Sequence, residues 1–515
     1  MSGFASGFIG LPRRPQTLRH SERGEEPLYF TLLATALMLS ATGCMVGPKY
    51  KKPLVPAYTA PGVTVDKSEA AYKEAGPPDA NWHPATPADG TLRGDWWTIF
   101  NNDELNLLEV KAGIQNESLK SYAARYEQAQ AQIGIDRSQL FPRIGTQALA
   151  QGVRYSAGRP YFTAPSNNLG ESDIQLPLTA SWEIDLWGKI RRQVNIAREE
   201  TQATAADREN AQLSVQAELA VDYFELRADD AQTKLLEDTV KDYEQALQIT
   251  TNRFEGGISN ESDVFQAKTQ LQAAMVQLQD IKVQRAQYEH AIAVLIGQPP
   301  NSFSLAEQPL DATPPTIPTG LPSQLLERRP DIAAAERRAA EGNEQIGIAR
   351  SAYFPTVGLS AAGGFESGSL KNLFDASNLV YAIGPTVDYN IFDFGLRKNT
   401  SLQARALFEQ NSADYKQTVL TAFQQVEDNL AALRILATEA EQQHEATVAA
   451  EGAQKIFDNR YVGGLDTYLQ VVTAQQAALT NERNDIDIER RRMDASVLLI
   501  KALGGGWSTA NLPKY

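Results

Sequence analysis

Two hydrophobic rhythms alternate along this chain. In long stretches apolar residues return every three to four positions, and in four short stretches they return every second position. The longest helical stretches cover 189–255 and 396–462. In the second, Val419, Phe423, Val426, Leu430, Leu433, Ala437 and Ala440 are spaced 4-3-4-3-4-3, a heptad seam that predicts coiled-coil packing. Leu213, Ala217, Ala220, Phe224 and Ala231 keep the same rhythm in the first. At about 1.5 Å per residue, each helix would run roughly 100 Å. The returning helices, 260–296 and 467–503, would reach only about 55 Å. Incoming helices over 101–140 and 330–352 are therefore expected to stack end to end with them.

The period-two stretches predict strands. In 174–187, Ile174, Leu176, Leu178, Ala180, Trp182, Ile184 and Leu186 share one face, with Gln175, Thr179, Ser181, Glu183 and Asp185 on the other. In 379–392, Leu379, Tyr381, Ile383, Val387, Tyr389 and Ile391 alternate with small and polar residues. A strand over 356–365 sets Val357, Leu359, Ala361 and Phe365 on one side, and a fourth, over 143–155, alternates poorly. Strict alternation gives one apolar and one polar face. Each strand is long enough to cross a bilayer at a tilt. Aromatics near the ends (Tyr155, Trp187, Tyr381, Phe392 and Phe394) fit an interfacial girdle. Four strands cannot close a membrane barrel, which needs about eight, and an open edge in lipid is costly. Several copies must therefore assemble; the pattern alone allows 8, 12 or 16 strands, in multiples of the four in this chain.

The two halves repeat. Gly256-Gly257 and Gly463-Gly464 are separated by 207 residues, and each follows an Arg-aromatic-X triplet, Arg253-Phe254-Glu255 and Arg460-Tyr461-Val462. The same offset carries Trp187-Gly188 onto Phe394-Gly395, Ser259 onto Asp466, and Ile296-Gly297 onto Leu503-Gly504. An internal duplication is the economical reading. Each half becomes a long helical hairpin turning at a diglycine, where glycine tolerates the left-handed geometry that ends a helix. Ser259 and Asp466 are the expected N-caps of the returning helices.

The organisation that follows is a signal segment over 1–43, with a translation start that could lie further in, and an extended Pro-rich segment over 44–100. The first repeat covers 101–297, a Pro-rich linker or belt 298–329, the second repeat 330–504 and a tail 505–515. Leu28–Thr42 is apolar over the length of a signal-peptide core and ends Ala41-Thr42-Gly43-Cys44. Small residues before the sole cysteine resemble a lipobox, which would make Cys44 the acylated mature N-terminus; Met45 behind it implies outer-membrane sorting. A single cysteine permits no intrachain disulfide.

Chemistry is sparse. The net charge of −15 argues against a nucleic-acid partner. The four histidines, at 20, 83, 290 and 444, have no metal-ligand spacing. Neither a phosphate-binding glycine loop nor a nucleophile elbow is present. No enzyme, cofactor or metal is expected. Glu183, Asp185 and Asp388 on the polar strand faces predict a lumen that disfavours anions.

Specific motifs then point to a family. Cys44-Met45-Val46-Gly47-Pro48-Lys49-Tyr50-Lys51-Lys52-Pro53 resembles the mature start of the OprM/NodT-type outer-membrane factors, relatives of TolC. Arg328-Arg329-Pro330-Asp331-Ile332, Gln345-Ile346-Gly347-Ile348-Ala349-Arg350 and Asp185-Leu186-Trp187-Gly188-Lys189 match as well. The resemblance implies a mainly α, TolC-like fold of duplicated hairpins forming a periplasmic α-barrel, with four β-strands per protomer and a homotrimeric 12-stranded barrel in the outer membrane. It implies an exit duct of a tripartite efflux pump, joined by a periplasmic adaptor to an inner-membrane transporter of the resistance-nodulation-division (RND) type. The alternative is the exit duct of an ABC-driven type I secretion system; a pore-less coiled-coil spacer would not need the strand over 174–187.

By the same resemblance, the hairpin tips at Gly256, Gly257, Ser259, Gly463 and Gly464 meet the adaptor, and the periplasmic gate falls on Leu469 to Gln476. Leu469 and Val472 are expected to seal it by excluding water. Gln470 and Asp466 line its polar side, with Tyr461 alongside. Many relatives have Asp at the position of Thr473 and Arg at that of Gln476, so a charge lock is not expected here.

Overall fold

The computed structural model describes residues 45–54, 94–154, 156, 171–310, 313–317 and 328–514. Cys44 and the signal segment lie outside the described residues, as do most of the Pro-rich stretch before Gly94 and much of the linker. The chain divides into a β unit, built from 144–189 and 354–389 with Val46, and a helical unit built from the rest.

In the β unit, β1 (Arg143–Thr146) and β2 (Leu149–Val153) both pair with β3 (Glu171–Ile184); β3 pairs with β4 (Thr356–Ser367), and β4 with β5 (Leu379–Asp388). The sheet is therefore four strands wide. Its register settles what alternation alone could not. Leu176 faces Phe365, Leu178 faces Gly363, Ala180 faces Ala361, Trp182 faces Leu359 and Ile184 faces Val357. Across β4, Phe365 faces Leu379, Gly363 faces Tyr381, Ala361 faces Ile383 and Val357 faces Val387. Directly paired residues lie on the same side of a sheet, so three separately patterned apolar faces merge into one. On β5 this face is open: Tyr381 is 82% and Ile383 74% exposed.

The strand boundaries move for physical reasons. The stretch expected over 143–155 is broken into β1 and β2. The strand expected over 174–187 stops at Ile184, whose partner Val357 stands near the start of β4. The one expected over 379–392 stops at Asp388, because its partner Thr356 is the first residue of β4 and nothing continues the ladder. Trp187 closes this end by donating to the Pro355 carbonyl at 2.7 Å and stacking on Phe354 at 4.6 Å.

The helical unit holds α1 (Asp103–Gln115), α2 (Glu117–Ser138), α3 (Lys189–Glu255), α4 (Glu261–Leu295), α5 (Pro330–Ser351), α6 (Leu396–Val462) and α7 (Tyr468–Ala502). The repeat is metrical: α3 and α6 each have 67 residues, α4 and α7 each 35, and α2 and α5 each 22. Three glycine pairs in register, 188 with 395, 257 with 464 and 297 with 504, all take positive φ. Among the described residues no helix is long and apolar enough to cross a membrane.

The helix expected over 101–140 is two helices. Asn116 caps α2 by accepting from Leu119 N at 3.0 Å, and its amide donates to the Leu295 carbonyl at 2.8 Å. The break thus satisfies the end of α4 as well as the start of α2. The seam of α6 holds through Val419, Val426 and Leu430, then shifts: Ala437 is exposed and Leu436 is buried in its place. A straight helix drifts by about 20° per heptad against a 3.5-residue repeat. Trp96, Trp97 and Phe100, on a short 3-10 turn, join Leu105, Tyr223, Phe224 and Ile500 in the largest core. The tail is packed too: Gly504, Gly505 and Gly506 turn it back at positive φ, and Trp507 buries against Ala206, Ala333 and Ala334.

A buried charge network fastens the linker. Asp230, with no exposed side-chain surface, accepts from Arg227 at 2.8 Å, Arg285 at 2.6 Å and Gln308 N at 2.9 Å. Arg227 donates to the Ala306 carbonyl and Arg285 to that of Leu305, each at 2.7 Å. Glu289 accepts from Leu305 N, also at 2.7 Å. Residues 305–310 are thereby held by charge-assisted hydrogen bonds in addition to the packing of Leu305 and Leu310 on the main core.

Candidate functional site

The two hairpin tips have one construction. At the first, Gly257 N donates to the Phe254 carbonyl at 2.9 Å and Ile258 N to that of Arg253 at 2.8 Å. At the second, Gly464 N donates to the Tyr461 carbonyl and Leu465 N to that of Arg460, both at 2.9 Å. This is the Schellman closure, in which the residue after the cap is left-handed. The second glycine of each pair meets that need, at φ 72° for Gly257 and 75° for Gly464; Gly463 stays right-handed at −71°.

The capping residues differ from expectation. The N-cap of α4 is Asn260, not Ser259, and that of α7 is Thr467, not Asp466; neither makes a side-chain cap bond. The Schellman turn explains the first shift, since Ser259 N is still bonded to the Arg253 carbonyl at 3.3 Å. Asp466 is drawn elsewhere: its carboxylate accepts from Arg460 Nε at 2.5 Å. That hydrogen bond raises the Arg460 pKa.

Although Arg253 and Arg460 occupy equivalent places in the repeat, they do different things. Arg460 closes its own hairpin, whereas Arg253 on α3 donates to the Tyr461 carbonyl of α6 at 2.7 Å and lies over the Tyr461 ring at 4.6 Å. Tyr461 in turn leans on Tyr468 at 5.4 Å. Burial raises the pKa of both tyrosines, with Arg253 opposing the rise at Tyr461. The arginines were visible in the sequence; that one would bridge the hairpins was not, because a repeat does not say which copy faces the other.

The expected gate residues of α7 fall on two of its faces, while Tyr461 lies at the end of α6 and Asp466 in the turn between the helices. Val472, with Tyr461, packs inside the protomer against Ala267, Tyr468 and Val471. Leu469 is 56% exposed, and Gln470, Thr473 and Gln476 are exposed beside it. Leu465 and Ile258, at the two tips, are also open. Within 469–476, Gln475 is buried and donates to Asp458 at 3.3 Å. Among the described residues no group of three or more His, Cys, Asp or Glu could hold a metal.

A family model described as outer membrane efflux protein matches residues 109–298 and 321–505. The toluene efflux pump outer membrane protein TtgF of Pseudomonas putida is 31% identical over 477 residues, 92% of this chain and 96% of that one. The pyoverdine export outer membrane protein OpmQ of Pseudomonas aeruginosa is 29% identical over 482 residues, 93% and 97% of the two chains. Among solved structures, the outer-membrane channel OprN superposes with a TM-score of 0.79 at 27% identity, over 90% of this chain and all of that one.

Proposed function

The chain belongs to the outer membrane efflux protein family, and from that premise we propose that three copies of it form the exit duct of a tripartite efflux pump. It is an outer-membrane efflux channel of TolC-like fold with a periplasmic extension, and it carries out no catalysis. The observation that carries the assembly is the sheet, whose registered apolar face lies open on β5 and whose outer strands have no further neighbour among the described residues. Unpaired edges in lipid leave backbone groups unsatisfied. Three four-strand sheets give twelve strands, enough to close. Cys44, acylated, anchors the chain in the outer membrane; the mass of the N-terminal peptide of the mature protein tests this.

The tips at Gly256–Ser259 and Gly463-Gly464 meet a periplasmic adaptor, which couples the duct to an inner-membrane RND transporter. Crosslinking through Leu465→Cys in intact cells is expected to capture the adaptor. An ABC transporter in the captured complex would move the duct to secretion, and no envelope partner at all would remove the pump. Leu465 suits the probe because it is exposed, while Gly464 needs its positive φ. TtgF and OpmQ carry unlike cargo names at similar identity, so the chain is assigned small-molecule export without a chosen substrate.

The gate is a ring of Leu469 side chains that excludes water, edged by Gln470, Thr473 and Gln476 and flanked by Asp466. Val472 and Tyr461 support it from behind. Leu469→Ala is expected to raise the closed-state conductance several-fold in planar bilayers; an unchanged closed state would remove Leu469 from the gate.

A further inference from the structure

On α3, Glu218, Asp222, Glu225 and Asp229 share one face by their spacing, and on α7 Asp487, Arg490 and Asp494 do the same. Arg490 binds three carboxylates at once: Glu225 across the seam, Asp494 at 3.0 Å and Asp487 at 2.7 Å. One guanidinium cannot neutralise three carboxylates. Two buried oxygens are left over, Asp494 Oδ1 and Asp229 Oδ2, which have no hydrogen-bond donor; Asp229 is only 4% exposed. Arg490 Nη1 donates to both Glu225 and Asp494, which brings these two half-buried carboxylates to a single nitrogen; an ionised carboxylate only accepts, so their mutual repulsion is relieved when one carries a proton.

We propose that Glu225 and Asp494 share a proton across the α3–α7 seam, making this seam a pH-sensitive joint of the helical unit. When the proton leaves, an O–H bond breaks, the proton passes to solvent, and both groups carry negative charge against each other. The surroundings favour the proton. α3 adds Glu218, Asp222 and Asp229. From α4, Tyr288 faces Glu225, while Arg285 is already engaged by Asp230 and the Leu305 carbonyl. On α7, Arg491 reaches Asp487 only at 3.7 Å and also binds Glu439.

Burial pushes Asp494 up to about 7, the Glu225 carboxylate adds to the rise, and Arg490 opposes it. Burial likewise takes Asp222 and Asp229 to about 7. An aspartate in the unfolded chain titrates at about 3.9. A folded value above the unfolded one gives stability that is full below about pH 4 and is lost as the pH rises through about 7.

The test uses the full-length protein in detergent, with the unfolding temperature followed from about pH 5 to about pH 8. Wild type is expected to lose stability across this range. Asp494→Asn should flatten the slope by about one proton per protomer, leaving the share of Asp222 and Asp229, and should lose an infrared band of a protonated carboxyl. Glu225→Gln decides the matter if Asp494→Asn does not accumulate. A wild-type slope and an intact carboxyl band in the variant that folds would overturn the proposal.

Discussion

Asp230→Ala is expected to destabilise the protein by about 3 kcal/mol or more, because removing one member of a buried ionic network leaves its partners uncompensated. Asp230 has no exposed side-chain surface, and two guanidinium groups and the Gln308 amide converge on it. Its loss frees the linker as well as the core. Two readouts follow: a lower unfolding temperature in detergent, and faster protease cleavage within 303–310. Asp238 provides the control. It pairs with Lys234 and Lys241 at the open surface, where such pairs contribute little, so Asp238→Ala should leave both readouts close to wild type.

Gly364→Val should abolish assembly. A Cβ at Gly364 would lie 2.2 Å from the Leu176 carbonyl oxygen and 2.6 Å from the Pro177 Cα. Both are backbone atoms of β3, so no rotamer change makes room. Pro177 is paired directly with Gly364, and as a proline it offers no N–H to the ladder. The contact must open the β3–β4 pair, a loss beyond about 4 kcal/mol in the range of the most damaging single substitutions. The measurement is the yield of heat-modifiable oligomer in the outer-membrane fraction. Gly363→Ala, where a Cβ meets nothing closer than 3.9 Å, should assemble normally.

Local information was legible. The 207-residue offset anticipated paired helices of equal length and paired left-handed glycines, because helix ends are written in a few residues. Alternation marked the two faces of the strands over 174–187, 356–365 and 379–392, since the side-chain period is a local property. Pairing was not legible. That β3 faces β4, and that the ladder stops at Ile184 and Asp388, depends on residues nearly two hundred positions away or on where the partner ends. Asn116 could have been found: an Asn followed by Glu117 is a helix-start signal inside a stretch read as one helix. The packing of the tail was not legible, because three glycines do not say where the chain turns, and here they aim Trp507 at Ala206, Ala333 and Ala334.

At the candidate site, the heptad rhythm cannot distinguish a residue in its own hairpin's seam from one facing another protomer. Val472 and Leu469 lie three residues apart on one helix, yet one is buried and the other open. The linker shows the same limit. Its prolines were visible, but the charges that hold it belong to α3 and α4.

The central claim is that copies of this chain close a pore across the outer membrane. Single-channel recording of the purified full-length protein in a planar bilayer tests it most directly. The account predicts discrete conductance steps of one size from the assembled oligomer, with cations favoured over anions. A folded, membrane-inserted protein that leaves the bilayer without steps would contradict it.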